Sequence, residues 1–273
     1  MIKIVTIDLD GTLFDPKKNV STENRIAINK CKELGVKIVI ATGRPISGVK
    51  PLLIDLGLNT NDDYVILYNG AKIINCGTNE CIYSSNIKGK DVKELYEESK
   101  RLGVFFHAFR IDGELITPMH NPYTDVEATI NNVKDNYHDI ISLNDDDLFL
   151  KAMMVGDELD INRIMNEVDK KFIEKYSMLR SSKIFLEFLD KKTSKGEALK
   201  SLAKYLNISM DDTMAIGDAG NDIPMIKEAK IGVAMENAFP EVLASADYVT
   251  ASNRESGVAK ALNKFIIEKE NVI

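Results

Sequence analysis

The stretch IKIVTIDLDGT (residues 2–12) decides the fold, because it joins an apolar run rich in β-branched residues to an acidic cluster. A second stretch, TMAIGDAGND (residues 213–222), repeats this arrangement much later in the chain. A short apolar run that ends at Gly or Asp predicts a buried strand. Ligands of open α/β sheets bind outside the carboxyl ends of the strands. We therefore expect the two acidic clusters to lie at the ligand-binding end of one sheet.

Composition places the chain among soluble globular proteins. Its 273 residues, 44% of them hydrophobic, predict two domains. A net charge of −7 argues against a nucleic-acid surface, which usually needs a basic face. No apolar stretch reaches the ~20 residues that span a bilayer, so we expect no membrane partner. Three cysteines without metal spacing, and a strand in place of a signal peptide at the start, predict a cytoplasmic protein.

The order of predicted elements indicates one α/β domain that a second domain interrupts. Strands and helices alternate over residues 1–83 and again over 191–273, which predicts a doubly wound, Rossmann-like core with a parallel sheet. Residues 84–190 predict an inserted α+β domain with a largely antiparallel sheet. Within this insertion we expect a helix near 159–172, and polar stretches that include Asn144 to Asp147 between the strand that ends at 117 and the strand that begins at 150.

Asp8 and Asp10 are the first candidates for chemistry. Residues two apart in an extended strand point the same way, so both carboxylates could face one reacting centre. Gly11 permits a sharp turn near a phosphate, and Thr12 could bond a neighbouring backbone group. Carboxylates that meet disfavour ionisation unless a cation joins them, and oxygen ligands of this kind suit Mg²⁺. The alternative is a strand end followed by a solvated turn.

Two further segments offer groups for a phosphoryl ligand. Thr42 and Gly43 follow the second predicted strand and present a hydroxyl and an accessible backbone N–H. The sequence Ser194-Lys195-Gly196-Glu197 has the form of a capping box, which places Lys195 in the first turn of a helix. A cation there opposes the helix dipole, and a broken local rule often marks function. The alternatives are an ordinary turn at 42–43 and a lysine that bends into water.

The loop after the strand at 213–217 carries the third group of candidates. Asp218 is best placed for a metal, and Asn221 could offer its amide to a phosphate or to the nucleophile. Asp222 could bind the metal directly or support its ligands. Asn221 or Asp222 could also cap the following helix, and both roles could coexist.

Together these motifs resemble those of the haloacid dehalogenase-like phosphohydrolases, in the same order and contexts. The inserted segment resembles the type 2B cap of the Cof subfamily. Segments around 185–187, 215–218 and 233–235 are most similar to the YidA-type sugar phosphatases. The matching segments of the core are Asp8 to Thr12, Thr42-Gly43, Asn69-Gly70-Ala71, Lys195-Gly196, Gly217 to Asp222 and Met235 to Ala238.

The resemblance implies a role for each matching residue. Asp8 would attack phosphorus and form an aspartyl-phosphate, and Asp10 would protonate the leaving alcohol and then activate water. Mg²⁺ would bind Asp8, the backbone carbonyl of Asp10 and Asp218, with Asp222 supporting these ligands. The groups that would hold the phosphoryl oxygens are those of Thr42, Gly43, Lys195 and Asn221, while Arg44 and Asn69 are expected nearby.

The predicted activity is therefore a Mg²⁺-dependent phosphomonoesterase whose partner is a small phosphorylated metabolite, with sugar phosphates as the expected substrates. Alternatives are a phosphatase of another metabolite, such as a nucleotide, FMN or PLP, and a phosphomutase. Non-enzymatic alternatives are a phosphoacceptor, which would leave Asp10 and the insertion without a purpose, and a metabolite-binding regulator, against which the retention of Asp10 counts. The physiological substrate and the oligomeric state do not follow from the sequence.

Overall fold

A computed structural model describes residues 1–270; residues 271–273, the end of the predicted core segment 191–273, lie outside the described residues. The helices are α1 Thr22–Glu33, α2 Ile46–Asp55, α3 Gly89–Leu102, α4 Pro122–Asn131, α5 Glu158–Glu167, α6 Lys170–Lys175, α7 Lys195–Tyr205, α8 Ile223–Glu228, α9 Pro240–Leu243, α10 Gly257–Leu262 and α11 Glu268–Glu270. The strands are β1 Ile4–Ile7, β2 Lys37–Ala41, β3 Tyr64–Leu67, β4 Lys72–Asn75, β5 Cys81–Ser84, β6 Ile87–Lys88, β7 Phe105–Arg110, β8 Leu115–Thr117, β9 Asp135–Tyr137, β10 Leu148–Val155, β11 Tyr176–Ser182, β12 Phe185–Asp190, β13 Thr213–Gly217, β14 Ile231–Ala234 and β15 Tyr248–Val249.

The chain divides into two units. The first comprises Met1–Thr42, Pro51–Tyr83 and Ser194–Ile273, and the second comprises Gly43–Lys50 and Ser84–Thr193. No helix within residues 1–270 is both long enough and apolar enough to cross a membrane.

The first unit is built on an eight-stranded sheet in the order β15-β14-β13-β1-β2-β3-β4-β5. The six strands from β15 to β3 are parallel, and β4 returns antiparallel to β3. The chain passes from β1 to β2 and β3 on one side, and later to β13, β14 and β15 on the other. The strand order therefore reverses between β1 and β13, and such a switch point is where doubly wound sheets bind ligands.

Burial explains why these strands lie at the centre of the sheet. All four residues of β1 and all five of β13 are buried, as expected for strands covered on both faces. Side chains of α7, including Leu199 and Leu202, pack with Ile4 and Ala215 in one apolar cluster. The register pairs Ile7 with Ile216, so the residues that follow β1 and β13 emerge side by side.

The second unit contains a seven-stranded sheet in the order β11-β12-β10-β7-β8-β9, with β6 paired to β10. All its described pairs are antiparallel except β8 with β9. Apolar side chains of α3, α5 and α6 cover one face, where Leu95, Ile164 and Phe172 pack with Phe106 and Met154. The predicted fold class, a doubly wound α/β core with an inserted α+β domain, is confirmed.

The structure adds one helix to the insertion and corrects another. The polar segment after β8 contains α4, which begins where the side chain of Asn121 accepts the backbone N–H of Thr124 and Pro122 occupies the first turn. This is an ordinary helix start that the polar composition obscured. The helix expected near 159–172 is two helices, because Asp169 caps α6 after α5 has ended at Glu167.

Candidate active site

Asp8 lies immediately after β1 and is only 6% exposed. The ammonium of Lys195 donates a hydrogen bond of 2.5 Å to Asp8 Oδ1. Burial raises the pKa of Asp8, and the carboxylate of Asp222 raises it further, although the charge of Lys195 acts in the opposite direction. The predicted nucleophile is therefore buried, and its carboxylate is paired with the ammonium of Lys195.

Lys195 is the first residue of α7, and Ser194 caps the helix by accepting the backbone N–H of Glu197. The lysine is fully buried and donates a second hydrogen bond, of 2.7 Å, to Asp222 Oδ1. Burial lowers its pKa, but the carboxylates of Asp222 and Asp8 outweigh burial, and the net pKa is raised. Two acids from other segments therefore keep Lys195 charged at a helix N-terminus, where a cation opposes the helix dipole.

Asp222 is also fully buried and connects Lys195 to the loop that follows β13. Its second oxygen, Oδ2, accepts the backbone N–H groups of Asp218 and Ala219, each at 3.0 Å. Both of its carboxylate oxygens are therefore engaged.

Asp218 follows β13 and is 8% exposed. The hydroxyl of Thr12 donates to Asp218 Oδ1 at 2.7 Å, whereas we expected a backbone partner for this side chain. Burial raises the pKa of Asp218 to about 6, against the lowering effect of Thr12. Gly11 has a φ of +95° and lies so close that a Cβ there would collide with the Asp218 carboxylate. The loop after β1 is therefore closely packed against this acid.

Oxygen atoms of Asp8, Asp218 and Asp222 all lie within 4.8 Å of one another. The carboxylates of Asp8 and Asp222 accept hydrogen bonds from the ammonium of Lys195. Repulsion among the acids contributes to the raised pKa values of Asp8 and Asp218. Oxygen donors with excess negative charge fit a hard divalent cation such as Mg²⁺. The residues present therefore match the predicted metal.

Asp10 differs from Asp8 in its surroundings. The strand ends at Ile7, so the alternation of an extended strand does not place the two carboxylates on one face. Asp10 forms an ion pair with Lys18 from the same loop, and its side chain is 39% exposed. It still contributes to the raised pKa of Asp218, which places its charge near the acidic cluster.

The predicted phosphate-binding residues of the first unit share a set of backbone and side-chain contacts. Thr42 is buried after β2, and its carbonyl accepts the backbone N–H of Asn69 at 3.0 Å. The amide of Asn221 donates to Asn69 Oδ1, also at 3.0 Å. Gly43 follows Thr42 in the chain and groups, together with Arg44, with the second unit.

Comparison with known proteins identifies the family. The family model described as haloacid dehalogenase-like hydrolase matches residues 5–262. The chain belongs to this family. The resemblance drawn from the motifs is thereby confirmed.

Relatives of this hydrolase family align along nearly the whole chain. YxeH of Bacillus subtilis is 40% identical over 271 residues, which are 98% of this chain and 100% of YxeH. The 5-amino-6-(5-phospho-D-ribitylamino)uracil phosphatase YcsE of the same organism is 30% identical over 97% of this chain and 96% of its own length. The enzyme is therefore a haloacid dehalogenase-like phosphatase.

Solved structures of such hydrolases have the same fold. A haloacid dehalogenase-like hydrolase from Bacteroides thetaiotaomicron superposes with a TM-score of 0.85 and 32% identity, covering 97% of this chain and 100% of that one. The subclass IIB sugar phosphatase BT4131 has a TM-score of 0.79 and 26% identity, covering 96% and 98%.

The sequence of this hydrolase does not predict the role of a pair of asparagines that hold the loop after β1. Asn237 donates to the carbonyl of Gly11 at 2.9 Å, and Asn253 donates to the carbonyl of Phe14 at 2.7 Å. The backbone N–H of Asn253 also donates to Asn237 Oδ1. The segment Met235 to Ala238 belongs to the family resemblance, but nothing in its composition predicts what the side chain of Asn237 contacts.

Proposed function

We propose that this phosphatase is a Mg²⁺-dependent phosphomonoesterase that acts on small phosphorylated metabolites through covalent catalysis by Asp8. The observation that carries the proposal is the buried Asp8 carboxylate at the switch point of the sheet, 2.5 Å from the ammonium of Lys195. A nucleophile that is desolvated yet paired with a cation suits attack on a phosphate monoester.

In the proposed reaction, an oxygen of Asp8 attacks phosphorus while the bond from phosphorus to the leaving oxygen breaks. The carboxyl group of Asp10 gives its proton to the departing alkoxide, which leaves as an alcohol. The Asp10 carboxylate then takes a proton from water, and the resulting hydroxide attacks phosphorus. The bond between phosphorus and the Asp8 oxygen breaks, so that inorganic phosphate leaves and the Asp8 carboxylate is restored.

The remaining residues bind and orient. Lys195 would neutralise one phosphoryl oxygen while it holds Asp8, and Thr42, Gly43 and Asn221 would donate to the others. Asp8, the backbone carbonyl of Asp10 and Asp218 would hold Mg²⁺, with Asp222 supporting them. When bound, the ion supplies positive charge that offsets these carboxylates and the phosphate.

We further propose that the substrate is a phosphate ester of a polyhydroxylated carbon chain, most simply a sugar phosphate. BT4131 is described as a sugar phosphatase, and YcsE is named for a phosphoribitylamino compound. These substrate descriptions share a phosphorylated polyol chain although the rest of the molecule differs. The phosphoribitylamino compound should therefore be assayed together with hexose and pentose phosphates.

Phosphate release from p-nitrophenyl phosphate tests the proposed activity. We expect turnover with Mg²⁺, loss of turnover in EDTA with recovery on adding Mg²⁺, and no turnover by Asp8→Asn. Asp211→Asn, at an exposed acid outside the site, serves as the matched control and should behave as the wild type. Turnover that persists in EDTA or in Asp8→Asn would overturn the assignment.

A panel of phosphate esters then tests the substrate class. Sugar phosphates and the phosphoribitylamino compound should give higher kcat/KM than nucleotides, FMN or PLP. A preference for nucleotides or cofactors would reject the polyol assignment while leaving the phosphatase assignment intact. Transfer of phosphate to a second hydroxyl of the substrate, instead of release, would favour a phosphomutase.

A further inference from the structure

The turn that follows β3 has an unusual backbone. Tyr68, Asn69 and Gly70 have φ values of 51°, 56° and 102° in succession, and the first two side chains are buried. Positive φ is uncommon for residues other than glycine, although asparagine tolerates it better than tyrosine does. Such a conformation persists only where its surroundings stabilise it, and this is common at functional sites.

Asn69 connects two segments proposed to bind phosphate. Its backbone N–H donates to the carbonyl of Thr42, and its Oδ1 accepts from the amide of Asn221, each at 3.0 Å. Asn69 is 3% exposed, and its side-chain bond to Asn221 is partly buried. The two bonds join the loops that follow β2 and β13.

Gly70 brings the same turn against the start of α7. A Cβ at this position would collide with the carbonyl of Ser194 and lie 3.0 Å from the backbone nitrogen of Lys195. The turn Tyr68–Gly70 is therefore in contact with all three segments of the first unit that carry proposed phosphate ligands. Its sequence explains the fit, because Asn adopts the left-handed conformation and Gly leaves room for the helix.

The bond to Asn69 determines how Asn221 presents its amide. An Asn side chain can rotate by half a turn and exchange its nitrogen and oxygen. Because Asn69 Oδ1 is an acceptor, it selects the orientation in which Asn221 Nδ2 points toward it. The amide nitrogen carries two N–H groups, so the second can donate to a phosphoryl oxygen. An exchanged amide would present an oxygen, which repels phosphate.

We propose that Asn69 is a positioning residue for phosphate recognition, which acts by orienting the amide of Asn221. The proposal rests on the proposed function. It assigns Asn69 no contact with the reacting atoms. Its effect should therefore pass through Asn221 and disappear when that amide is removed.

A double-mutant cycle tests this dependence. Asn69→Gly removes the side chain but keeps the left-handed backbone and the N–H that bonds Thr42. With p-nitrophenyl phosphate and Mg²⁺, we expect its KM, and the Ki of inorganic phosphate, to rise about 10-fold, the loss of roughly one hydrogen bond. In an Asn221→Ala background the same substitution should change either value by less than about 2-fold.

Asn207→Gly is the matched control, because Asn207 has a φ of 57°, lies in the same unit and is exposed. Both substitutions replace Asn by Gly and so change the unfolded chain in the same way. We therefore expect the two variants to melt within a few degrees of each other. Asn207→Gly should leave KM and Ki unchanged. Thermal unfolding followed by circular dichroism measures the melting temperatures.

The outcomes separate the two proposals. If the wild type turns over the ester and the changes in KM and Ki caused by Asn69→Gly and Asn221→Ala multiply in the double variant, the role of Asn69 is overturned. The proposed function is then unaffected. An unchanged Ki in Asn69→Gly, or a loss of turnover that tracks a large fall in melting temperature, would also overturn the role of Asn69. A wild type that neither hydrolyses the ester nor binds inorganic phosphate would overturn the proposed function and this inference with it.

Discussion

The ammonium of Lys195 and the carboxylate of Asp222 form a fully buried ion pair at 2.7 Å, and neither side chain has any exposed surface. Asp222 also accepts two backbone N–H groups of the loop after β13. Removing charges from water is costly unless they are paired and hydrogen-bonded, and here both conditions are met. The pair therefore joins the start of α7 to the loop that carries Asp218.

Removing Asp222 should destabilise the protein strongly. In Asp222→Ala the Lys195 ammonium loses a buried partner and two backbone N–H groups lose their acceptor. We expect the free energy of unfolding to fall by about 3–5 kcal/mol in urea titrations. Asp211→Ala, at an acid with an 83% exposed side chain, should change it by less than about 0.5 kcal/mol. Similar losses in both variants would contradict this account of the pair.

Thr12 should affect the affinity for Mg²⁺ through its hydrogen bond to Asp218. Thr12→Val keeps the shape of a fully buried side chain but removes the donor to Asp218 Oδ1. A hydrogen bond to a charged group contributes about 1.5–3 kcal/mol, so we expect the Kd for Mg²⁺, measured by calorimetry, to change at least about 10-fold. Thr6→Val is the control, because the hydroxyl of buried Thr6 donates to a backbone carbonyl instead. Equal Mg²⁺ affinity in both variants would refute the link.

Asp10 should matter to proton transfer more than to metal binding. Asp10→Asn keeps the backbone carbonyl and the size of the side chain but cannot give up or accept a proton as a carboxyl group does. We expect kcat to fall by about 10²–10⁴-fold while Mg²⁺ and vanadate still bind. Loss of Mg²⁺ binding, with kcat preserved at saturating Mg²⁺, would show that the role assigned to Asp10 is wrong.

Much of the core was predictable because its signals are local. An apolar run with an acidic end marks β1, and a Ser three residues before a Glu marks the start of α7. Strand order then brings together residues far apart in sequence, such as Asp8 and Asp218, since both follow neighbouring parallel strands. The candidate metal cluster follows from these rules alone.

What could not be predicted depends on tertiary contacts. Nothing near Thr12 in sequence indicates that its hydroxyl donates to Asp218, 206 residues away. The partners of Asn69 and Asn237 likewise come from distant segments. In the insertion, α4 was missed because its buried face includes polar residues such as Thr124 and Glu127, which weakens the apolar periodicity that predicts a helix.

His107 should make the stability of the second unit depend on pH. It is fully buried, with hydrogen-bond contacts to Thr124 Oγ1 at 2.9 Å and Met153 Sδ at 3.1 Å. Burial, reinforced by the charge of Lys151, lowers its pKa from 6.5 to about 3. A base whose folded pKa lies below its unfolded pKa binds fewer protons when folded. The contribution of His107 to stability is therefore greatest above pH 6.5 and falls as the pH drops toward 3.

The contribution of His107 can be isolated by comparing variants. Between pH 6.5 and pH 4 the wild type should lose about 3 kcal/mol through this residue, in addition to losses from its carboxylates. His107→Gln cannot take up that proton, so its free energy of unfolding in urea should fall less steeply over the same range. His120→Gln, at a histidine with an 80% exposed side chain, should keep the slope of the wild type. A wild-type slope in His107→Gln would show that His107 is not the group that titrates.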